Sequence, residues 1–281
     1  MIAKVGRVMI RIILIMILIG GAVQLYLLRG SKEQSIQTNN PQVRYQSTPT
    51  LLIPGWGGNT WTYQKLISTA QERNVAQKRM TIWVAPNGHV RIKGDINRKN
   101  AIIQLLYDWN YTPGYQDQTK QLTRVMRILH NQYHVRNLNV VAHSYGGTEW
   151  LHAYISSPDI QKNMRFPKVI LLGTPVDETF GERTKFTKWL FKKSKDRNFK
   201  LMERQIRHTS LVRIGKIYNW MGAKGGRTDG EVPHIQSEML RSLLHNQRIN
   251  YAEHVYSHTN HVQLHQKKQI LNDILKTLWY K

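Results

Sequence analysis

The chain has 281 residues, room for one large α/β domain or two small ones, and its 41% hydrophobic and 21% charged content speaks for a packed core and against disorder. Forty-one Lys and Arg against 17 Asp and Glu give a formal charge of +24, which favours anionic partners (phospholipid, wall polymer or nucleic acid) without choosing among them. The chain has no cysteine, which excludes disulfides, thiolate catalysis and Cys-ligated metals.

Lys4, Arg7 and Arg11 lead into an apolar run in which Arg11 is the only charge between Val8 and Leu28. About 20 apolar residues suffice to cross a bilayer as a helix, and the basic N-terminal flank would stay cytoplasmic, sending the remainder outside. Residues 1–29 are therefore read as a membrane anchor. The alternative is a signal peptide cleaved near Ala22, where Gly20 and Ala22 supply small residues. Residues 30–49, rich in Ser, Gln, Asn, Thr and Pro, read as a polar tether to a domain spanning 50–281.

A short apolar strand, 50–53, runs into the glycine loop "PGWGGNT", and a helix is expected over 62–73. "RMTIWVAPNGHVRIKG" reads as a hairpin around Asn87-Gly88, and "AIIQLLYDWNY" as a buried strand ending in polar residues. Leu122, Val125, Met126 and Leu129 have helical spacing. Strand 138–142, helix 147–157, strand 168–172, strand 210–216, a helix near 235–245, strand 250–256 and a helix from about 268 follow. Such alternation predicts a mostly parallel sheet with helices on both faces. Between two of these strands, residues 180–208 carry ten Lys and Arg, three acidic residues and several aromatics. This stretch reads as a basic helical insertion, solvated or acting as a cap against an anionic lipid surface.

Chemistry concentrates at "VVAHSYGG". Ser144 sits where a buried strand meets a helix, with the small residues Ala142 and Gly146 two positions away on either side. The pattern resembles the G-x-S-x-G nucleophile elbow with Ala in the first glycine position. The backbone NH of Tyr145, at the start of the helix, and that of Trp56, in the early glycine loop, are placed to form an oxyanion hole. A serine needs a base. His258 and His261 both fall in the loop after strand 250–256, where a base must lie to reach Ser144. For the acid, Asp229 follows strand 210–216 and Asp177 follows strand 168–172. The order Ser144, Asp229, His261 favours Asp229, because it is the α/β-hydrolase order.

With these pieces in place, the chain from about Leu51 onward resembles a family of α/β-hydrolases from Gram-positive bacteria described as membrane-bound cell-surface hydrolases. The resemblance rests on "IPGWGGN", the "APNGHVRIKG" hairpin, "IIQLLYDWN", "VVAHSYGG", "TDGEVP" and "HVQLH". It implies the α/β-hydrolase fold, selects His261 over His258 as the triad base, and supports Asp229 as its orienting acid. Pro54 stands where the family usually has histidine, and Val262 where it has serine; neither position is needed for proton relay. The resulting expectation is an extracytoplasmic serine hydrolase of small-molecule or lipid esters, with no metal or organic cofactor. Its membrane partner is engaged through the N-terminal helix, and the anionic envelope is a further candidate partner. No recognisable nucleic-acid module is present, so nucleic acid is not expected to bind. The alternative is a catalytically silent module of the same fold that binds anionic wall polymers or lipids.

Overall fold

The computed structural model describes residues 2–176, 197–245 and 247–281. Asp177 and residues 180–196 of the basic insertion lie outside the described residues.

Eight strands form one sheet: β1 (Thr50–Ile53), β2 (Gln77–Val84), β3 (Val90–Gly94), β4 (Ala101–Tyr107), β5 (Asn139–His143), β6 (Phe166–Leu172), β7 (Ile214–Ala223) and β8 (Asn250–Ser257). Their spatial order is β3-β2-β4-β1-β5-β6-β7-β8. Each neighbouring pair is parallel except β2 with β3, the hairpin around Gly88. The central strands are apolar along their whole length because both faces are covered; β1, β4 and β5 are buried at every residue.

One face packs against α3 (Gln116–Tyr133), α4 (Tyr145–Ile155), α6 (Arg197–Arg207) and α7 (His234–Leu244), through Leu122, Val125, Trp150, Met202, Ile206 and Leu240. The other packs against α2 (Thr60–Glu72) and α8 (Lys268–Trp279), through Tyr63, Leu66, Ile67, Ile274 and Trp279. The short α5 (Pro158–Asn163) precedes β6. Helix α1 (Ile2–Leu27) stands apart: its stretch Met9–Leu27 is long and apolar enough to cross a membrane, and none of it is buried in the protein.

Two elements differ from the sequence reading in ways that matter. Strand β7 runs Ile214–Ala223 rather than 210–216. Gly215 lies near the start of the strand, where a Cβ would run into the carbonyl of Pro167 on β6. The acid-bearing loop after β7 is consequently short. It is closed by Lys224 NH donating to the Thr228 carbonyl at 2.9 Å and by a bridge between Thr228 and Pro233.

The second difference concerns residues 30–49, which are laid along the domain rather than hanging free of it. The NH groups of Gly30 and Ser31 donate to Thr60 Oγ1 (3.0 Å) and Gln104 Oε1 (2.7 Å). Val43 is buried and pairs with Tyr280. Composition signals polarity here, but the side chains that receive the backbone come from α2 and β4. Asn100, in left-handed conformation with φ of 51°, fastens the end of the segment: it accepts from Gln46 NH at 2.9 Å and donates to the carbonyls of Arg44 and Val75. Replacing Asn100 by Ala leaves three backbone groups without their partner, the Val75 carbonyl among them fully buried, in a conformation that alanine disfavours. We expect a loss of about 2–4 kcal/mol in unfolding free energy, measured by urea titration.

Candidate active site

The carboxyl ends of the parallel strands meet around Ser144. The residue has φ of 54° and ψ of −130° between β5 and α4, a conformation held because its NH donates to the Leu172 carbonyl at 2.9 Å. Strain of this kind at a strand-to-helix turn is typical of a residue displayed for chemistry. The turn is also crowded. A Cβ on Gly55 would lie 2.6 Å from Ser144 Cβ, and one on Gly146 would lie 2.8 Å from the Ile53 carbonyl. Glycine at both positions is what lets the loop after β1 press against the elbow.

That loop, 54–59, is locked from the far side. Asn110, buried after β4, donates to the Gly55 carbonyl at 2.7 Å and accepts from Gly57 NH at 2.7 Å. Asn59 caps α2 in a reciprocal arrangement with Thr62. Trp56 lies in this loop with its indole NH donating to the Thr112 carbonyl at 3.0 Å.

Across the site, His261 Nδ1 lies 2.7 Å from Asp229 Oδ2, and both residues are buried. Asp229 Oδ1 accepts from the NH groups of Glu231 (2.9 Å) and Val232 (2.7 Å), and its carbonyl accepts from His261 NH at 3.1 Å. A carboxylate satisfied in this way fixes the imidazole tautomer with the proton on Nδ1 and turns Nε2 outward. A 3-10 turn, Val262–His265, begins at His261 and closes behind it. Glu231 Oε2 stands 3.8 Å from His261 Nε2 at the exposed rim.

Ser144, His261, Trp56, Tyr145, Glu231 and Val262 all line one cleft of about 840 Å3. No hydrogen bond joins Ser144 to His261 among the described residues, as is common in unliganded sites whose catalytic contacts close on substrate. His258 is exposed, with φ of 48°, and does not line the cleft. No group of three His, Cys, Asp or Glu side chains that could hold a metal occurs among the described residues.

Several residues at the site are given no role by the sequence reading. His143 is buried beneath Ser144, its ring 4.4 Å from His261 and 4.5 Å from His265, and its Nε2 donates to the His261 carbonyl at 3.2 Å. Burial, followed by the neighbouring histidines, pushes its pKa well down, so His143 is a neutral support. Burial likewise lowers His265 to about 4 and His152, stacked on Tyr115, to about 4. Glu149, buried on α4, is driven toward its protonated form by burial and receives Tyr107 OH at 2.8 Å. Gly173, with φ of 55°, ends β6; a Cβ there would lie 2.9 Å from Asp229 Oδ2 and 3.0 Å from His261 Nδ1.

The chain belongs to the α/β-hydrolases: residues 37–281 match the profile of the family described as "Alpha/beta hydrolase of unknown function (DUF915)". The product of the gene lin2722 of Listeria innocua has a similar structure, with a TM-score of 0.69 and 19% identity over 83% of this chain and 94% of that one. So does a candidate cell surface hydrolase of Lactobacillus plantarum, with a TM-score of 0.66 and 16% identity over 82% and 89%. At these identities the likeness is one of fold. No curated protein sequence matches the chain significantly.

Two outcomes follow from this geometry. Gly173→Ala pushes a methyl group into the Asp229–His261 pair, so the low-field proton resonance of that hydrogen bond is expected to shift or disappear. The histidines set a pH dependence. An unfolded His titrates near 6.5, so between about 6.5 and 4 the unfolded chain binds protons that folded His152 and His265 refuse, and stability falls as pH falls. Glu149 acts with the opposite sign, but it is common to any comparison between variants. His152→Gln is therefore expected to lose less stability than the parent between pH 7 and pH 4, by up to about 3 kcal/mol in denaturant titrations at the two pH values.

Proposed function

We propose that the protein is an extracytoplasmic serine hydrolase acting through Ser144, His261 and Asp229, most suited to carboxylic or lipid esters. The observation that carries this reading is the buried 2.7 Å Asp229–His261 pair, which shares a cleft with a serine on a strained strand-to-helix turn. In the acylation step Ser144 Oγ bonds to the ester carbonyl carbon while its proton passes to His261 Nε2. Asp229 stabilises the imidazolium that forms. The carbonyl oxygen takes the negative charge, held by the backbone NH groups of Tyr145 and Trp56, which border the cleft on opposite sides of the nucleophile. Collapse breaks the bond to the alcohol, which leaves with the proton from His261. Water then attacks the acyl-enzyme, giving its proton to His261, and the carboxylic acid departs as Ser144 recovers a proton.

Placement outside the cytoplasm is supported by the basic residues ahead of the apolar stretch of α1, and by the description of the Lactobacillus relative as a cell surface protein. We read α1 as an uncleaved anchor.

Fluorophosphonate, which reacts only with an activated serine, tests the triad. The parent is expected to be labelled at Ser144, and Ser144→Ala and His261→Ala to lose labelling. On an ester substrate those two variants should fall by about 10^4–10^6-fold in kcat, and Asp229→Asn by about 10^4-fold. A folded parent that takes no label would overturn the catalytic reading in favour of a silent binding module.

A further inference from the structure

The root of α1 and the mouth of the cleft occupy the same end of the molecule. Gln24 Nε2 donates to the Asp108 carbonyl just past the carboxyl end of β4, and the Trp83 indole NH, near the end of β2, donates to the Leu28 carbonyl at 2.7 Å. Tyr26 packs edge-on against Trp61, with ring centroids 6.3 Å apart, and Trp61 lines the Ser144 cleft. Trp56 and Tyr111 line the same cleft and meet each other at 5.5 Å, and Tyr111 meets Trp109 at 5.3 Å. These four rings are 53% (Trp61), 43% (Trp56), 41% (Tyr111) and 54% (Trp109) exposed, and Val262 on the opposite rim is 52% exposed. Scattered exposed hydrophobics need no explanation, but three exposed aromatic rings lining one cleft, one of them packed on an apolar helix, do. Trp and Tyr collect at the boundary between headgroups and acyl chains.

Charge agrees with this placement. Beside the helix root, a second hollow of about 440 Å3 is lined by Arg29, Lys32 and Lys93 together with Trp83; Lys78, also in its lining, is buried and paired with Glu33 at 3.2 Å. Arg29 also sits over the Tyr26 ring at 3.8 Å. Basic residues at the level where an apolar helix leaves the bilayer face the phosphates of an anionic leaflet.

We propose that the carboxyl end of the sheet lies against the anionic phospholipid leaflet from which α1 emerges, so that the Ser144 cleft takes an ester resident in that leaflet, its acyl chain entering past the aromatic rim, rather than a solute. The proposal rests on the reading of Ser144 as nucleophile and of α1 as an uncleaved anchor.

Because the chain contains no cysteine, single-cysteine variants report one position each. The full chain carrying Trp109→Cys or Val262→Cys, labelled with bimane and reconstituted in phosphatidylglycerol-containing vesicles, is expected to lose emission when the lipids carry a shallow nitroxide. Arg73→Cys, at the amino end of the sheet, is expected to keep it. Equal quenching at all three positions, or quenching confined to position 73, overturns the placement. The substrate class is tested with a fluorogenic diacyl ester. Ester in the enzyme's own vesicles should be consumed, while ester in enzyme-free vesicles mixed alongside is spared. Equal consumption overturns the leaflet-resident substrate. Fluorophosphonate labelling of the same preparations separates the two readings. Label on Ser144 without quenching at 109 and 262 sinks the membrane-facing mouth and leaves the hydrolase standing. Quenching without label supports the placement of the mouth and overturns the ester chemistry.

Discussion

Everything at the site depends on two stretches of backbone coming closer together than side chains would allow. The loop after β1 lies against the turn that carries Ser144, and at the contact both chains present glycine, Gly55 on one side and Gly146 on the other. This approach places Trp56 and Tyr145 on the borders of one cleft. Asn110 then holds the loop twice, its side-chain amide donating to the Gly55 carbonyl and its backbone carbonyl accepting from Gly57 NH, so the loop's position is set by the end of β4 and not by its own glycine-rich sequence. A wider spacing at this contact would leave the serine exposed but without a partner loop.

The electrostatics around the cleft follow from the same close packing. Three histidines lie within ring contact, His143, His261 and His265, and only His261 has a carboxylate at hydrogen-bond distance on its Nδ1. The other two are held neutral by burial. A cluster of imidazoles can stay compact at neutral pH only if most of them are uncharged, since like charges at such distances repel strongly. The neutral pair thus acts as packing around the Asp229–His261 pair, so that under the proposed mechanism the charge developing in proton transfer stays on those two residues.

Much of this was legible in the sequence, for definite reasons. Ser144 announced itself because small residues at 142 and 146 and a switch from strand to helix pattern leave few other readings. Asp229 and His261 are chosen from chain order, and the structure brings the two to hydrogen-bond distance beside the cleft that Ser144 lines. What the sequence did not show depends on contacts between distant residues. Strand β7 begins and ends later than 210–216, and nothing near Gly215 reveals that Pro167 will lie opposite it. Gly173 looks like an ordinary strand end; its need to lack a Cβ comes from Asp229 and His261, more than 50 residues away. Asn110 and His143 fall within quoted stretches, but nothing in the sequence shows which segments they hold. The stretch 30–49 has the composition of a linker, and the groups that receive it, Gln104 and Asn100, give no local signal.

That fastened stretch changes what α1 and the domain can do relative to each other. Twenty free polar residues would let a domain wander about 25 Å from its point of attachment and turn in any direction. Here the first backbone amides past the helix are taken up by Thr60 and Gln104, so the slack is gone almost at once. Helix and domain turn as one body. Whatever fixes the tilt of α1 also fixes the heading of the cleft, and the protein has given up reach for a constant angle of approach.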